Sequence, residues 1–302
     1  MLTRYVQRHL TWIDLVSPTA EEVRSLMQEF AIDPLIAEEL LLPSYKSKVE
    51  RREGHVYVIL HFPILRGLNK RPEQEIDFIL GRNFLITARF AATEHLHSFA
   101  KIFEVNSVLG QGSATHGGHL FTAMASNLYR ALINEVDVIQ KHLLDIEDGV
   151  FEGEERMMVV QISQTGRVIH DFRQTLLPHK EMLLSLEAAS SQLFGQEFLY
   201  YLRAAEGEYE RLRQRLEHLR ESLVELRETN NSLLSTKQNE IMKTFTVLAF
   251  ITLPLTLLAS IFSMNTQNTP LVGDPGDFWI VIGIMALTGT FFLLYFKRKG
   301  WL

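Results

Sequence analysis

Two stretches near the end of this chain, Thr244–Phe262 and Phe278–Phe296, contain no Asp, Glu, Lys or Arg, and each is 19 residues long. A helix rises ~1.5 Å per residue, so crossing a hydrocarbon core of ~30 Å takes roughly 20 apolar residues. Two such stretches in tandem predict two membrane-spanning helices. Two buried core helices are the weaker reading, because core helices of that length without a single charge are uncommon. The average composition conceals this segregation: over 302 residues the chain is 46% hydrophobic and 22% charged, as in an ordinary globular protein.

The flanks predict the orientation. Lys237 and Lys243 precede the first span, and Lys297, Arg298 and Lys299 follow the second. The connecting segment Ser263–Asp277 carries Asp274 and Asp277 but no Lys or Arg. The positive-inside rule then puts both termini in the cytoplasm and the loop outside. Trp279, Tyr295 and Trp301 fall near the span ends, where amphipathic rings favour the interface. Met1–Leu15 carries Arg4, Arg8 and Asp14 and no apolar run, so insertion is expected to rely on the C-terminal spans. Without cysteine, neither a disulfide framework nor a thiolate metal site is available. A net charge of −6 argues against nucleic acid as a partner.

The N-terminal part reads as mixed α/β. Ser17-Pro18 ahead of Glu21 and Glu22 predicts a helix start with Ser as cap and Pro at the first helical position. A short helix is expected over Pro34–Leu42, a strand over His55–Phe62, and a hairpin of Glu75–Leu80 and Asn83–Ala88 around Gly81-Arg82. Ala92–Leu109 reads as helix. From Gly118 the pattern is helical throughout: one helix to about Phe151, another over Glu154–Ala189 kinked at Pro178, and a third from Gln196 into the first span. The third would be on the order of 100 Å long.

That long helix has a countable seam. Leu202, Ala205, Tyr209, Leu212, Leu216, Leu219, Leu223, Leu226, Asn230 and Leu233 alternate spacings of three and four. Such a heptad packs lengthwise against a partner, either the preceding helices of the same chain or another copy. Away from the seam, Glu221, Glu225, Glu228, Ser232 and Ser235 make an acidic face. It suits plain solvation or a water-filled, cation-attracting axis.

The first span carries a stripe. Asn239, Met242, Thr246, Ala249, Leu253, Thr256, Ser260 and Ser263 recur at three or four residues and share one helical face. Small and hydroxyl residues there serve either close helix packing or the wall of a polar pore. Asn239 followed by Met242 and Phe245 would make a polar ring and then a dewettable constriction if several copies surrounded an axis. At the outer end, amides crowd into Ser263–Pro270. Amide oxygens can hold an ion through its water shell, which suits Mg²⁺ because it dehydrates reluctantly.

Other chemistry is poorly represented. Gly110–His119 is glycine-rich but lacks the Gly-Lys-Ser/Thr ending of a phosphate loop and reads as a loop before a helix. His116 and His119, spaced i, i+3 without a carboxylate partner, are a weak metal pair. Nothing matches a nucleophile elbow, a zinc-protease helix or an ATPase, so no enzyme is expected.

Taken in order, these residues resemble the CorA-type divalent cation channels and transporters along the whole chain. The resemblance lies in Trp12–Leu15 with Pro18-Thr19, in Lys48–Glu50 before the strand at His55–His61, and most of all in Gln238–Lys243, Leu253-Pro254-Leu255, Ser263-Met264-Asn265 and the basic tail Lys297–Leu302. It implies a funnel-shaped homopentamer in the inner (plasma) membrane, with a cytoplasmic α/β and helical domain (1–195), a stalk helix (196–243), a pore-lining span (244–262), an external loop (263–277), a second span (278–296) and a basic cytoplasmic tail (297–302). It further implies that Asn265, with Met264 and Ser263, forms the ion entrance. Asn239 would be the inner polar ring, and Met242, Phe245 and Leu253 the hydrophobic gate. Asn265 and Asn239 would be the metal-contacting pair, with no cofactor beyond the transported ion. The family's tripeptide begins with Gly, and here the position is Ser263. Glycine permits a left-handed helix end that serine disfavours. The departure leaves Mg²⁺, Zn²⁺, Co²⁺ and Ni²⁺ as candidate cargo, and a non-conducting, membrane-anchored oligomeric sensor or scaffold as the alternative.

Overall fold

The computed structural model of the protein describes residues 1–44, 46–64, 73–91, 94–108, 114–264 and 276–301. The chain divides into two units, Met1–Arg227 and Glu228–Leu302. In order, the elements are β1 (Leu2–Gln7), β2 (Leu10–Val16), α1 (Ala20–Phe30), α2 (Pro34–Glu39), β3 (Lys48–Arg52), β4 (His55–Pro63), β5 (Glu73–Gly81) and β6 (Phe84–Arg89). Helices α3 (Glu94–Val108), α4 (Gly117–Phe151), α5 (Glu155–Leu176), α6 (His179–Phe194), α7 (Gln196–Ser263) and α8 (Asp277–Arg298) follow.

In the first unit the strands form one mixed sheet, in the order β1-β2-β6-β5-β4-β3 among the described residues. Only β2 and β6 run parallel. Strand β4 is buried along its whole length, which explains why HVYVILHF reads as a near-continuous apolar run rather than an alternation. One face of the sheet places Tyr57, Ile59, Ile79 and Ile86 against Val23 and Leu26 of α1 and Ile36 of α2. The other carries Phe78 edge-on to Phe121 of α4, Trp12 edge-on to Phe99 of α3, and Phe62 edge-on to His179 of α6. Helices therefore cover both faces, as a sheet buried on both sides requires.

Two local expectations change. The cap of α1 is Thr19, not Ser17: Thr19 Oγ1 accepts from the Glu22 N–H, and Glu22 accepts from the Thr19 N–H, a reciprocal box that outcompetes an isolated Ser-Pro start. Pro178 does not kink one helix but separates α5 from α6, because it can neither donate to the preceding turn nor clear its carbonyl. The helix expected over Ala92–Leu109 is α3, and positions 92, 93 and 109 lie outside the described residues.

The seam of α7 is buried within a single chain. Leu202, Ala205, Tyr209, Leu212, Leu216, Leu219, Leu223 and Leu226 are all buried. Tyr209 packs edge-on to Tyr129 of α4 and stacks on His179 of α6. A side chain at Gly166 of α5 would stand 3.0 Å from Leu223, so the missing side chain lets α5 and α7 approach. Ion pairs flank the seam: Arg173–Glu217, Lys180–Glu210 and Arg215–Asp137. The intramolecular reading of the heptad is therefore the observed one for this stretch.

Candidate functional site

The second unit contains the predicted stripe. Its two helices have 18-residue windows of mean hydropathy 2.2 (α7) and 2.0 (α8), of which 6% and 0% are buried. Among the described residues these two helices are long and apolar enough to cross a membrane. Their exposure removes the buried-core reading, since a core helix hides its apolar window.

Helices α7 and α8 hold each other through a limited set of contacts. Val247 and Phe296 are the buried hydrophobic residues of this unit among those described. Phe250 lies 6.1 Å from Phe296, which is itself stacked on Trp301 at 5.8 Å. Leu255 is 3.7 Å from where a Gly289 side chain would begin, an ordinary contact distance, so α7 and α8 also meet there with room for a small side chain. Lys243 Nζ donates to the carbonyl of Gly300 at 2.7 Å.

The stripe lies on the opposite side. Val247, Ile251, Pro254 and Leu258 are buried or half-buried. At about 100° per residue, the centre of the stripe stands roughly 150° around the helix from them. Asn239, Met242, Ala249, Leu253, Thr256, Ser260 and Ser263 are exposed, and Thr246 is half-buried. Met242, Phe245 and Leu253 are 58%, 61% and 68% exposed, so nothing among the described residues of this unit covers the would-be constriction. Phe245 sits at the stripe's edge, where it also lines an open groove with Ile241, Thr244 and Leu248.

Three of the four hydroxyls of this face share one arrangement. Thr246 Oγ1 donates to the Met242 carbonyl at 2.7 Å, Thr256 Oγ1 to Thr252 at 2.9 Å, and Ser263 Oγ to Ser260 at 2.9 Å. Each spends its hydrogen on the helix's own backbone. What remains outward is a pair of oxygen lone pairs, which accept from water or face a cation. Pro254 lies within α7 without ending it.

Ser263 is the last residue of α7 and is not among the described non-glycine residues with positive φ, which are Arg8, Ser17 and Ala31. Serine is thus accommodated in helical backbone, without the left-handed conformation that would favour glycine. Met264 follows, exposed, its N–H bonded to the Ile261 carbonyl at 3.3 Å. Asn265, the expected entrance residue, and the amide-rich stretch 266–270 lie outside the described residues.

The expected acidic face is exposed at Glu221 and Glu225 in the first unit and at Glu228, Ser232 and Ser235 in the second. His116 and His119 turn out to be structural. His116 Nδ1 accepts the His119 N–H at 3.0 Å, capping α4, and its ring stacks on Phe194. The His119 ring stacks on Tyr201 at 3.8 Å. Burial holds both imidazoles below their ordinary range. No group of three His, Asp or Glu side chains among the described residues is arranged to hold a metal. The contact that sequence reasoning missed is Lys243 to Gly300. The positive-inside rule uses Lys243 only as a charge, although Lys-Arg-Lys-Gly-Trp is itself the pattern of a helix end followed by a left-handed glycine.

The family model described as a CorA-like Mg²⁺ transporter protein matches residues 7–298. The chain is 26% identical to the cobalt/magnesium transport protein CorA of Thermotoga maritima, over 97% of this chain and 83% of that one. It is 25% identical to the magnesium transport protein CorA of Mannheimia succiniciproducens, over 96% and 92%. Among solved structures, the CorA magnesium transporter of Methanocaldococcus jannaschii superposes with a TM-score of 0.84 at 20% identity, over 99% of this chain and 93% of that one. That likeness shows a shared fold: an α/β domain, a long helix and two candidate membrane helices.

Proposed function

This chain belongs to the CorA-like Mg²⁺ transporter family, and on that premise we propose that it is a divalent cation transporter whose α7 lines a central pore in a homo-oligomer. The observation that carries the reading is the stripe. Its oxygen lone pairs and its exposed Met242, Phe245 and Leu253 face away from α8, leaving them for a shared axis. Two spans cannot enclose a pore alone, so several copies are required, and five is the number the resemblance implies.

In this reading Asn265 holds the hydrated ion at the entrance and Asn239 meets it at the inner mouth. Met242, Phe245 and Leu253 between them form a constriction that excludes water when closed. The polypeptide termini lie in the cytoplasm of a cell whose inner membrane holds the spans, and the segment 263–277 faces outward. Mg²⁺ is the first cargo to test, with Co²⁺ next and Zn²⁺ and Ni²⁺ after them. An inside-negative potential contributes ~2.3 kcal/mol per charge per 100 mV, twice over for a divalent ion, so passive flux runs inward.

The test is reconstitution in liposomes with an indicator for each ion, alongside Asn265→Ala. Flux of at least one divalent ion that falls in the variant supports the proposal. No flux for any ion, or equal flux in the variant, overturns it and leaves the membrane-anchored scaffold.

A further inference from the structure

We propose that Lys243 is a positioning residue for the constriction: through the carbonyl of Gly300 it fixes the rotation of α7 about its own axis. The proposal rests on the pore reading above. The chain reverses just after α8. The N–H of Gly300 bonds the Lys297 carbonyl at 3.1 Å, and that of Trp301 bonds the Phe296 carbonyl at 3.0 Å. Gly300 adopts φ +67°, a left-handed conformation that side-chain-bearing residues disfavour. A Cβ at Gly300 would meet nothing within 4 Å, so the requirement for glycine is conformational rather than steric.

The reversal has two consequences. It brings the Gly300 carbonyl to Lys243 Nζ at 2.7 Å, and it returns the Trp301 ring onto Phe296, which in turn meets Phe250. Lys243 and Phe250 are seven residues apart, two turns along one side of α7. A single contact would let α7 pivot about it. Two contacts about 10 Å apart along one face fix its rotation. The polar one is charge-assisted and also places a cation at the carbonyl end of α8, where the helix dipole favours it.

Met242 adjoins Lys243 in sequence, and Phe245 lies two residues on. At about 100° per residue, holding Lys243 and Phe250 toward α8 directs Met242 and Phe245 elsewhere. A merely topogenic lysine needs only its charge. A positioning lysine needs its bond, and with it the glycine that presents the acceptor.

The chain's lack of cysteine makes the rotation measurable. Leu255→Cys with Gly289→Cys, in the full chain in liposomes, places two thiols where α7 and α8 approach. Their oxidation rate reports the rotation whether or not any ion passes. Adding Lys243→Met or Gly300→Ala should slow that cross-link about fivefold or more, since disulfide geometry is strict, and Lys243→Arg should not. In the cysteine-free chain, Lys243→Met should lower the ratio of Mg²⁺ to Na⁺ flux about fivefold, again with rescue by Lys243→Arg. An unchanged cross-link in Lys243→Met overturns the proposal, whatever the flux does. A slowed cross-link with an unchanged flux ratio overturns the role at the constriction. If the wild-type chain conducts no ion while the cross-link still depends on Lys243, the pore reading fails and only the helix-setting contact survives.

Discussion

Tyr129 donates its phenolic hydrogen to Nδ1 of His179 at 2.9 Å, and Nε2 of the same ring donates to the carbonyl of His61 at 2.8 Å. These two bonds use both ring nitrogens of a neutral imidazole, in one tautomer. His179 is fully buried, and burial pushes its pKa down to about 4, against a weaker upward pull from the His61 carbonyl. The unfolded chain therefore binds the proton more readily between pH 4 and the ordinary value of about 6.5. Stability from this site is complete above that range and falls as pH drops through it, by on the order of 3 kcal/mol at pH 4. Thermal unfolding of the full chain in detergent should show that acid loss, and His179→Gln should flatten it. An equal loss in the variant would exonerate His179.

His61 works in the opposite sense. Burial draws its pKa down, but bonds to Glu75 and to the Ser44 carbonyl outweigh it and raise the pKa overall. Its contribution is present below the ordinary imidazole value and is lost as pH rises through the raised folded value. His61→Gln should therefore narrow the stability difference between mildly acidic and alkaline buffer. A steeper alkaline loss in that variant would show the sign to be wrong.

Gly117 and Gly207 should respond to alanine in opposite directions. A Cβ at Gly117 would lie 2.0 Å from the Phe84 carbonyl oxygen and 2.4 Å from that of Gly81. Both are backbone atoms of the β5–β6 hairpin and cannot swing aside. Gly117→Ala should cost at least about 3 kcal/mol. Gly207 is an exposed position inside α7 with nothing within 4 Å of a Cβ, so alanine there should add about 0.5–1 kcal/mol. Melting temperatures of the two variants check both signs.

The contrast between what local pattern revealed and what it did not has a physical basis. The spans were legible because the bilayer forbids charge over a known length, and the α7 seam because burial every three or four residues is periodic. Strands β1 and β2 were not foreseen. LTRYVQ is half polar, and the pairing of β2 with β6 joins Trp12 to Leu85, far apart in sequence. Ser17 and Thr19 both offer a capping hydroxyl ahead of α1, and only the reciprocal bond with Glu22 decides for Thr19. At the site, periodicity located the stripe's face. It carried no trace of the Lys243–Gly300 bond, which closes 57 residues of chain.

Asp14 and Arg89 make a buried pair with a supporting chain of bonds. Arg89 Nη2 meets Asp14 Oδ2 at 2.6 Å, Thr87 Oγ1 donates to Asp14 Oδ1 at 2.8 Å, and Trp12 Nε1 donates to Thr87 at 3.0 Å. Removing one partner leaves a charge buried and alone. Asp14→Ala should cost about 3–5 kcal/mol, whereas replacing both by apolar residues of similar size should cost far less. Denaturant titration of Asp14→Ala, Arg89→Met and Asp14→Leu/Arg89→Met measures the coupling. Strict additivity would mean that the pair is not felt as a pair.

Leu216 tests whom the α7 seam serves. It is 1% exposed within a single chain, so its neighbours are supplied by that chain. Leu216→Ala should cost about 2–5 kcal/mol through lost burial and the cavity left behind. Because the burial is intramolecular, the loss should be the same when the protein is diluted tenfold in detergent. A seam between copies would behave differently: mass action would make the loss shrink on dilution, as the parent's copies also came apart. The acidic residues Glu221 and Glu225 share the helix but not the seam, and both are exposed. Glu221→Gln and Glu225→Gln should therefore leave the unfolding midpoint within about 0.5 kcal/mol of the parent. If these two changes altered stability as strongly as Leu216→Ala, the division of α7 into a packed seam and a free acidic face would be wrong.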